Sequence, residues 1–364
     1  MKIDPKEVRK ELHRIPELAY REFKTENYLL KILSSYSNLK LHRFDFPGIL
    51  AEYSVNDGDY MLFRADMDAL PIEEKTGCDF SSQHPGFMHA CGHDMHMAIL
   101  IGLIQKVMEN EPERNLLFLF QPAEEGKGGA KKVLESGILE QFEIESAWAL
   151  HVNGDLPVGK ISTCPGIFFA NTEEIDVDFV GKSAHVAYPD RGCDALAAGC
   201  EFYCLLKQEF EKEHFISSYM CKFGKITSGV IRNVIADHCK LEGTLRAFNF
   251  EDKAMLEGIV KQTMEHTGAQ FGVNTKLAFM NAYDAVSNDP ELYRKISELV
   301  GRDRFVEAEP VLTGEDFGFF TNKYKGLLFW LGTGVDMSLH SPEFLPDEEA
   351  LDVGIDIFYR LATS

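Results

Sequence analysis

The chain has 364 residues, more than one ordinary hydrophobic core supports, so two domains are expected. Its 37 basic and 58 acidic residues give a formal charge of -21, which argues against a nucleic-acid backbone or an anionic membrane surface as partner. No apolar run approaches the ~20 residues that cross a bilayer, no secretory apolar stretch opens the chain, and eight scattered cysteines read as reduced thiols, so a cytoplasmic protein is expected.

Residues 4–33 carry apolar Val8, Leu12, Ile15, Tyr28, Leu29, Ile32 and Leu33 at helical spacing, broken at Pro16. Two surface helices are expected there, and His13 between them reads as a packing residue rather than a functional one. Residues 49–54 and 60–65 have strand character around the turn-like Asn56-Asp57-Gly58-Asp59, which predicts a hairpin. Asp66 and Asp68 stand where the second strand gives out, with apolar flanks that keep Asp68 a candidate.

His89-Ala90-Cys91-Gly92-His93-Asp94-Met95-His96 gathers imidazole, thiol and carboxylate groups in eight positions, the donor set of a borderline-soft divalent ion. The apolar run at 97–104 behind it predicts a buried helix. A histidine beside such a helix is more often structural than a ligand, so the octapeptide alone gives even odds of a metal site. Residues 115–120 form an apolar strand ending in Gln121-Pro122-Ala123-Glu124-Glu125-Gly126, where two glutamates leave the ladder together. A strand at 146–150 ends in His151. Successive strands thus deliver ligand or acid-base groups at their carboxyl ends, where open α/β sheets bind ligands.

From about residue 169 the pattern changes to half-exposed strands and amphipathic helices in the order β-α-β-β-α, predicting an inserted α+β domain over 169–276. The flanking parts, 1–168 and 277–364, would make one discontinuous α/β domain with a mixed sheet between helices. In the last part Thr313 to Phe317 reads as a helix start with an acidic first turn, 327–331 as a buried strand, and His340 follows that strand.

A divalent ion among Cys91, His93, Glu125, His151 and His340 would acidify water and polarise a carbonyl, with Glu124 moving the proton. Five protein ligands are too many for one tetrahedral ion, so two ions sharing Cys91 is the simpler account; zinc, cobalt, nickel and manganese all suit the donors. Asp68 would orient a ligand. In the inserted domain His185 is the candidate donor to the developing oxyanion, and Arg246 with Asn233 the candidates for a substrate carboxylate. For Arg246 an ordinary exposed surface arginine is an equally good reading.

The segments His13-x-x-Pro16-Glu17, Arg64-Ala65-Asp66-Met67-Asp68-Ala69-Leu70-Pro71, Cys91-Gly92-His93-Asp94, Pro122-Ala123-Glu124-Glu125-Gly126, Leu150-His151, Gly314-Glu315-Asp316-Phe317 and Leu339-His340 occur in order along nearly the whole chain. With them the chain resembles the metal-dependent amidohydrolases of the aminoacylase and carboxypeptidase superfamily, in the N-acyl-amino-acid and hippurate hydrolase branch. The resemblance implies a two-metal, peptidase-like catalytic domain with an inserted lid or dimerisation domain. It implies Cys91, His93, Glu125, His151 and His340 as ligands, Glu124 as proton acceptor, Asp68 as an active-site aspartate, and His185 as a lid histidine able to act across a homodimer.

Further segments, among them Phe169-Ala170-Asn171-Thr172-Glu173 and Gly128-Gly129-Ala130, look most like those of the branch's deacetylases acting on N-acetyldiaminopimelate. Ser183-Ala184-His185 and Ala236 depart from the branch, which commonly has Gly-Gly-His and proline there. The expected reaction is removal of that acetyl group, with a general N-acyl-amino-acid hydrolase or a carboxypeptidase as enzymatic alternatives. A non-catalytic, metal-binding dimeric scaffold is the alternative of another class, against which Glu124 argues.

Overall fold

The computed structural model describes residues 3–364, which divide into two compact units. The first holds the chain up to Phe168 with Val286–Pro310 and Glu315–Ser364; the second holds Phe169–Ala285 with Val311–Gly314.

The first unit is built on an eight-stranded sheet. Its strands in chain order are β1 (Lys40–Arg43), β2 (Ile49–Tyr53), β3 (Tyr60–Asp66), β4 (Asn115–Gln121), β5 (Ile144–Asn153), β6 (Ile161–Thr163), β13 (Phe305–Glu307) and β14 (Gly326–Gly332). They lie in the order β1-β2-β4-β3-β5-β14-β6-β13. The pairs β3–β4, β3–β5 and β5–β14 are parallel, while β2 runs antiparallel to β4 and β14 to β6, so the sheet is mixed. A two-stranded ribbon of β7 (Gly166–Phe169) and β12 (Val286–Asn288) stands apart from it.

All seven positions of β4, and all seven of β14, are buried. A strand covered on both faces loses the apolar-polar alternation, which is why these two read in the sequence as unbroken apolar runs. The helix α3 (His93–Asn110) is likewise buried at every position from His93 to Ile104 and packs beside α1 (Pro5–Arg14) and the helix Glu349–Ala362. The helix Phe23–Leu33, α2, buries Leu29 and Leu33 on the same core.

The hairpin expected from 49–54 and 60–65 does not form, because β4 lies between β2 and β3. The turn joining them is tied to β4 instead: Asn115 Oδ1 accepts the Val55 and Asn56 N–H groups, and its amide donates to the Asn56 and Gly58 carbonyls. A strand as apolar as β4 needs a neighbour on both edges, and placing it between β2 and β3 satisfies its whole ladder.

The second unit is a four-stranded antiparallel sheet, β11 (Asn274–Tyr283), β8 (Asn171–Val180), β10 (His238–Ala247) and β9 (Tyr219–Ser228) in that order. The helices Ala195–Phe210 and Phe250–Phe271 share its core, with Phe202, Leu206, Leu256 and Val260 meeting Ile175, Val177 and Leu241. Asp194 and Asn249 cap these helices by accepting the Ala197 and Asp252 N–H groups. The break expected at 276/277 falls inside β11, which pairs with β8 from Asn274 onward, so the unit extends to Ala285. β11 alternates between exposed and half-buried positions over its first six residues, and the alternation is lost where the pairing shifts register past Met280.

Candidate metal centre

Parallel pairing brings the carboxyl ends of β3, β4, β5 and β14 to one edge of the sheet. Ala65 lies opposite Phe120, Arg64 opposite Ala149, and Trp330 opposite His151. Asp66 and Asp68 therefore leave β3 close to where Glu124 and Glu125 leave β4 and where β5 carries His151. His151 belongs to β5 itself, which continues to Asn153 rather than ending at Leu150.

Cys91 and His93 reach the same place through a tight turn. Gly92 caps α3 with φ +81°, and a Cβ there would meet Val152 Cγ2 at 2.4 Å. Only glycine fits both the conformation and the space. The glutamate loop is shaped the same way, with Ala123 in the left-handed region at φ 58° and Gly129 so close to the Pro122 carbonyl that a Cβ would overlap it.

The seven residues singled out in this unit come together. Cys91 Sγ lies 3.4 Å from His151 Nε2, and His340 Nε2 lies 3.4 Å from Glu125 Oε1. Potential ligand atoms of Cys91, His93 and His151 lie within 4.8 Å of one another, as do those of Cys91, Glu125 and His340, and those of His93, Glu124 and Glu125. Cys91 belongs to the first two sets, so it can bridge. His151 donates Nδ1–H to the Val152 carbonyl at 2.9 Å, which leaves Nε2 as a lone pair facing Cys91. His93 donates Nδ1–H to the Asp68 carbonyl at 2.9 Å, and its buried Nε2 has no hydrogen-bond partner.

A buried nitrogen without a partner costs about 1–3 kcal/mol unless something takes its lone pair. The thiol, imidazole and carboxylate around it are the donors a zinc-like ion takes, so the residues fit a pair of such ions.

The side chains by themselves favour the protonated forms of His93 and Cys91. Burial, then Asp66 and Asp68, act on His93, whose pKa is raised to about 10 because the two carboxylates outweigh the burial. Burial and the neighbouring Glu125 and Glu124 push the Cys91 thiol well above its usual range. Two positive ions would reverse both tendencies, since a divalent charge stabilises thiolate and neutral imidazole. Glu124 is pushed well above the ordinary carboxylate range by burial and by Glu315, Glu125, Asp316 and Asp68.

Asp68 acts as a brace: its two oxygens accept the N–H groups of Glu124 at 3.0 Å and Glu125 at 2.9 Å, while its carbonyl holds His93. One residue thereby sets the position of three others.

Several contributors were not singled out from the sequence. His96 donates Nδ1–H to Asp66 at 2.6 Å and accepts the Val152 N–H at 3.0 Å on Nε2. Against the cost of burial, His93, His96 and Arg64 hold Asp66 well below the ordinary carboxylate range. Arg64, fully buried, donates to Gln121, Asp66, Glu315 and Asp316 at 2.8–3.0 Å. Glu315 and Asp316 are thus buried partners of Arg64 and not the exposed first turn of a helix, which begins at Gly318. The signal available was Arg64 itself, a charge inside an apolar strand that must find carboxylates.

The second unit holds the other three candidates. His185 forms an isolated bridge with Val234, and Val186 N–H donates to the Asn233 carbonyl, so His185 and Asn233 share one loop cluster. Arg246 lies near the far end of β10, donating to the Leu312 carbonyl at 2.7 Å, and no carboxylate pairs with it among the described residues. It is half-buried rather than an exposed surface arginine, and burial lowers its pKa.

A model of peptidase family M20/M25/M40 matches residues 62–364. Over 356 residues the chain is 38% identical to N-acetyldiaminopimelate deacetylase of Bacillus velezensis, covering 96% of this chain and 95% of that protein. The enzyme of the same name from Shouchella clausii is 39% identical over 354 residues, with the same coverage. Among solved structures, a dinuclear metal-binding peptidase of the M20 family from Bacillus subtilis superposes with a TM-score of 0.85 at 31% identity, covering 99% of this chain and 96% of that one.

Proposed function

The chain belongs to peptidase family M20/M25/M40 and is a metal-dependent amide hydrolase, and we propose that the bond it cleaves is the acetyl amide of N-acetyldiaminopimelate. The products are acetate and the free diamine. The observation that carries the reading is Glu124, a buried carboxylate beside both ligand sets. A purely structural metal site has no use for it.

Two divalent ions bound at this centre would supply an acidified water and a polarised carbonyl. Cys91, His93, His151, Glu125 and His340 would hold them, Cys91 being common to both ligand sets. Glu124 takes the proton from the attacking water and delivers it to the departing amine; its raised pKa suits both halves of that task. Asp68 keeps Glu124 and Glu125 in place through their backbone N–H groups.

In the second unit His185 is assigned to the oxyanion, and Arg246 with Asn233 to the substrate's carboxylates. A guanidinium with no acidic partner among the described residues, in so acidic a chain, supports the last assignment. We assign homodimerisation to this unit as well, on the open edge of β9 and the exposed Leu196, Tyr203 and Ile226. Eight free cysteines suit a reducing cytoplasm, and among the described residues no helix is long and apolar enough to cross a membrane.

The test compares turnover of N-acetyldiaminopimelate, hippurate and N-acetylmethionine by the metal-loaded protein and by Glu124→Gln. N-acetyldiaminopimelate is expected to be turned over fastest, and the variant to retain its metal while losing roughly 10²–10⁴-fold in turnover. Preference for hippurate or N-acetylmethionine contradicts the substrate; full turnover by Glu124→Gln contradicts the role of Glu124.

A further inference from the structure

Away from the hydrolytic centre, α1 and the loop before α3 bring together another mixed donor set. His13 Nε2 lies 3.3 Å from Glu74 Oε1, Cys78 Sγ lies 3.7 Å from the same oxygen, and ligand atoms of all three residues fall within 4.8 Å of one another. For an ion bonded at about 2.0–2.3 Å, neighbouring ligand atoms of a tetrahedron stand about 3.3–3.7 Å apart. These two separations have that size.

A second observation concerns His13. Its other nitrogen, Nδ1, lies 2.9 Å from Asp94 Oδ2, and Asp94 is in turn held by Arg9 at 3.3 Å. A carboxylate on the far nitrogen is the arrangement that orients metal-binding imidazoles and raises their basicity. The third observation is the loop: from Met67 to Gly92 the chain forms no helix or regular strand of its own, longer than the ~12–15 residues usual for such a segment in a compact domain. Gln83 N–H donating to the Arg14 carbonyl already holds this loop near α1, and Ser82 N–H donating to Glu74 ties the loop to itself.

We propose that His13, Glu74 and Cys78 form a further, structural site for a zinc-like divalent ion, which pins the loop leading to the hydrolytic ligands onto α1. His13 Nε2, one Glu74 oxygen and the Cys78 thiolate are the protein ligands, and a water completes the four. Binding releases the Cys78 proton to solvent, together with the proton on His13 Nε2, which Asp94 and Glu74 retain against burial up to about pH 9. The site lies outside the proposed hydrolytic machinery, so its ion is distinguishable from the catalytic pair.

The experiment counts zinc on wild-type protein and on Cys78→Ser after dialysis against a competing chelator, with turnover measured on both. The wild type is expected to hold one zinc ion more per chain than Cys78→Ser, whose turnover is unchanged when the catalytic pair is loaded. Equal zinc content overturns the site. In the wild type, alkylation of Cys78 by iodoacetamide, followed by mass spectrometry, gives a reading independent of any substitution. Saturating zinc is expected to slow it about tenfold or more, since the ion competes for the thiolate; an unchanged rate also overturns the proposal.

Discussion

Glu22 shows how a residue remote in sequence from the glutamate loop serves it. Its side chain is fully buried, and Oε1 accepts the Ala123 N–H at 2.9 Å, holding the left-handed residue that precedes Glu124. Burial, reinforced by Asp68, raises its pKa from 4.5 to about 8. The unfolded chain releases this proton near pH 4.5 and the folded chain holds it to about pH 8. Its contribution to stability is therefore complete below about pH 4.5 and is lost as pH rises to about 8, a change of a few kcal/mol. Glu22→Gln is expected to remove that slope from the thermal melting temperature measured across this window, relative to wild type. An identical pH profile for the two proteins would show that Glu22 is ionised in the fold.

At the scale of elements, the turns are what bring the ligands into range. The Cys91–His93 turn depends on Gly92, where alanine adds about 1–2 kcal/mol of left-handed strain and about 1–3 kcal/mol of overpacking against Val152. Gly92→Ala is expected to lower unfolding free energy by roughly that sum and to weaken metal binding, both followed by urea titration with and without metal. Stability and affinity equal to wild type would mean the turn has room the geometry denies. Three of the candidate site residues were legible because each follows an apolar run that ends abruptly: His151 near the end of β5, Glu124 after β4, Asp68 after β3. Sequence neighbours misled where pairing was non-local. The turn at 54–59 looked like a hairpin, yet its partner is Asn115, and β11 was missed because its period of two is cut short where the pairing shifts register past Met280.

For the whole molecule, the family likeness and the apolar patterning already implied an α/β sheet and a separate α+β unit. They could not reveal the buried charges that lock distant segments together. Arg64 reaches Glu315 and Asp316 across some 250 residues of chain, and nothing local at either end announces the other. His96 lay inside the octapeptide, but only the fold shows it between Asp66 and Val152. The proposed hydrolytic centre likewise depends on the assembly of β3, β4, β5 and the segment after β14, with Cys91 common to two candidate ligand sets.

That shared thiolate gives the most direct measurement: metal bound per chain in Cys91→Ala against wild type under identical loading. With a bridging Cys91, the variant binds two ions fewer and loses turnover; if it keeps its full complement of ions and its turnover, the segments do not converge on a common dinuclear centre.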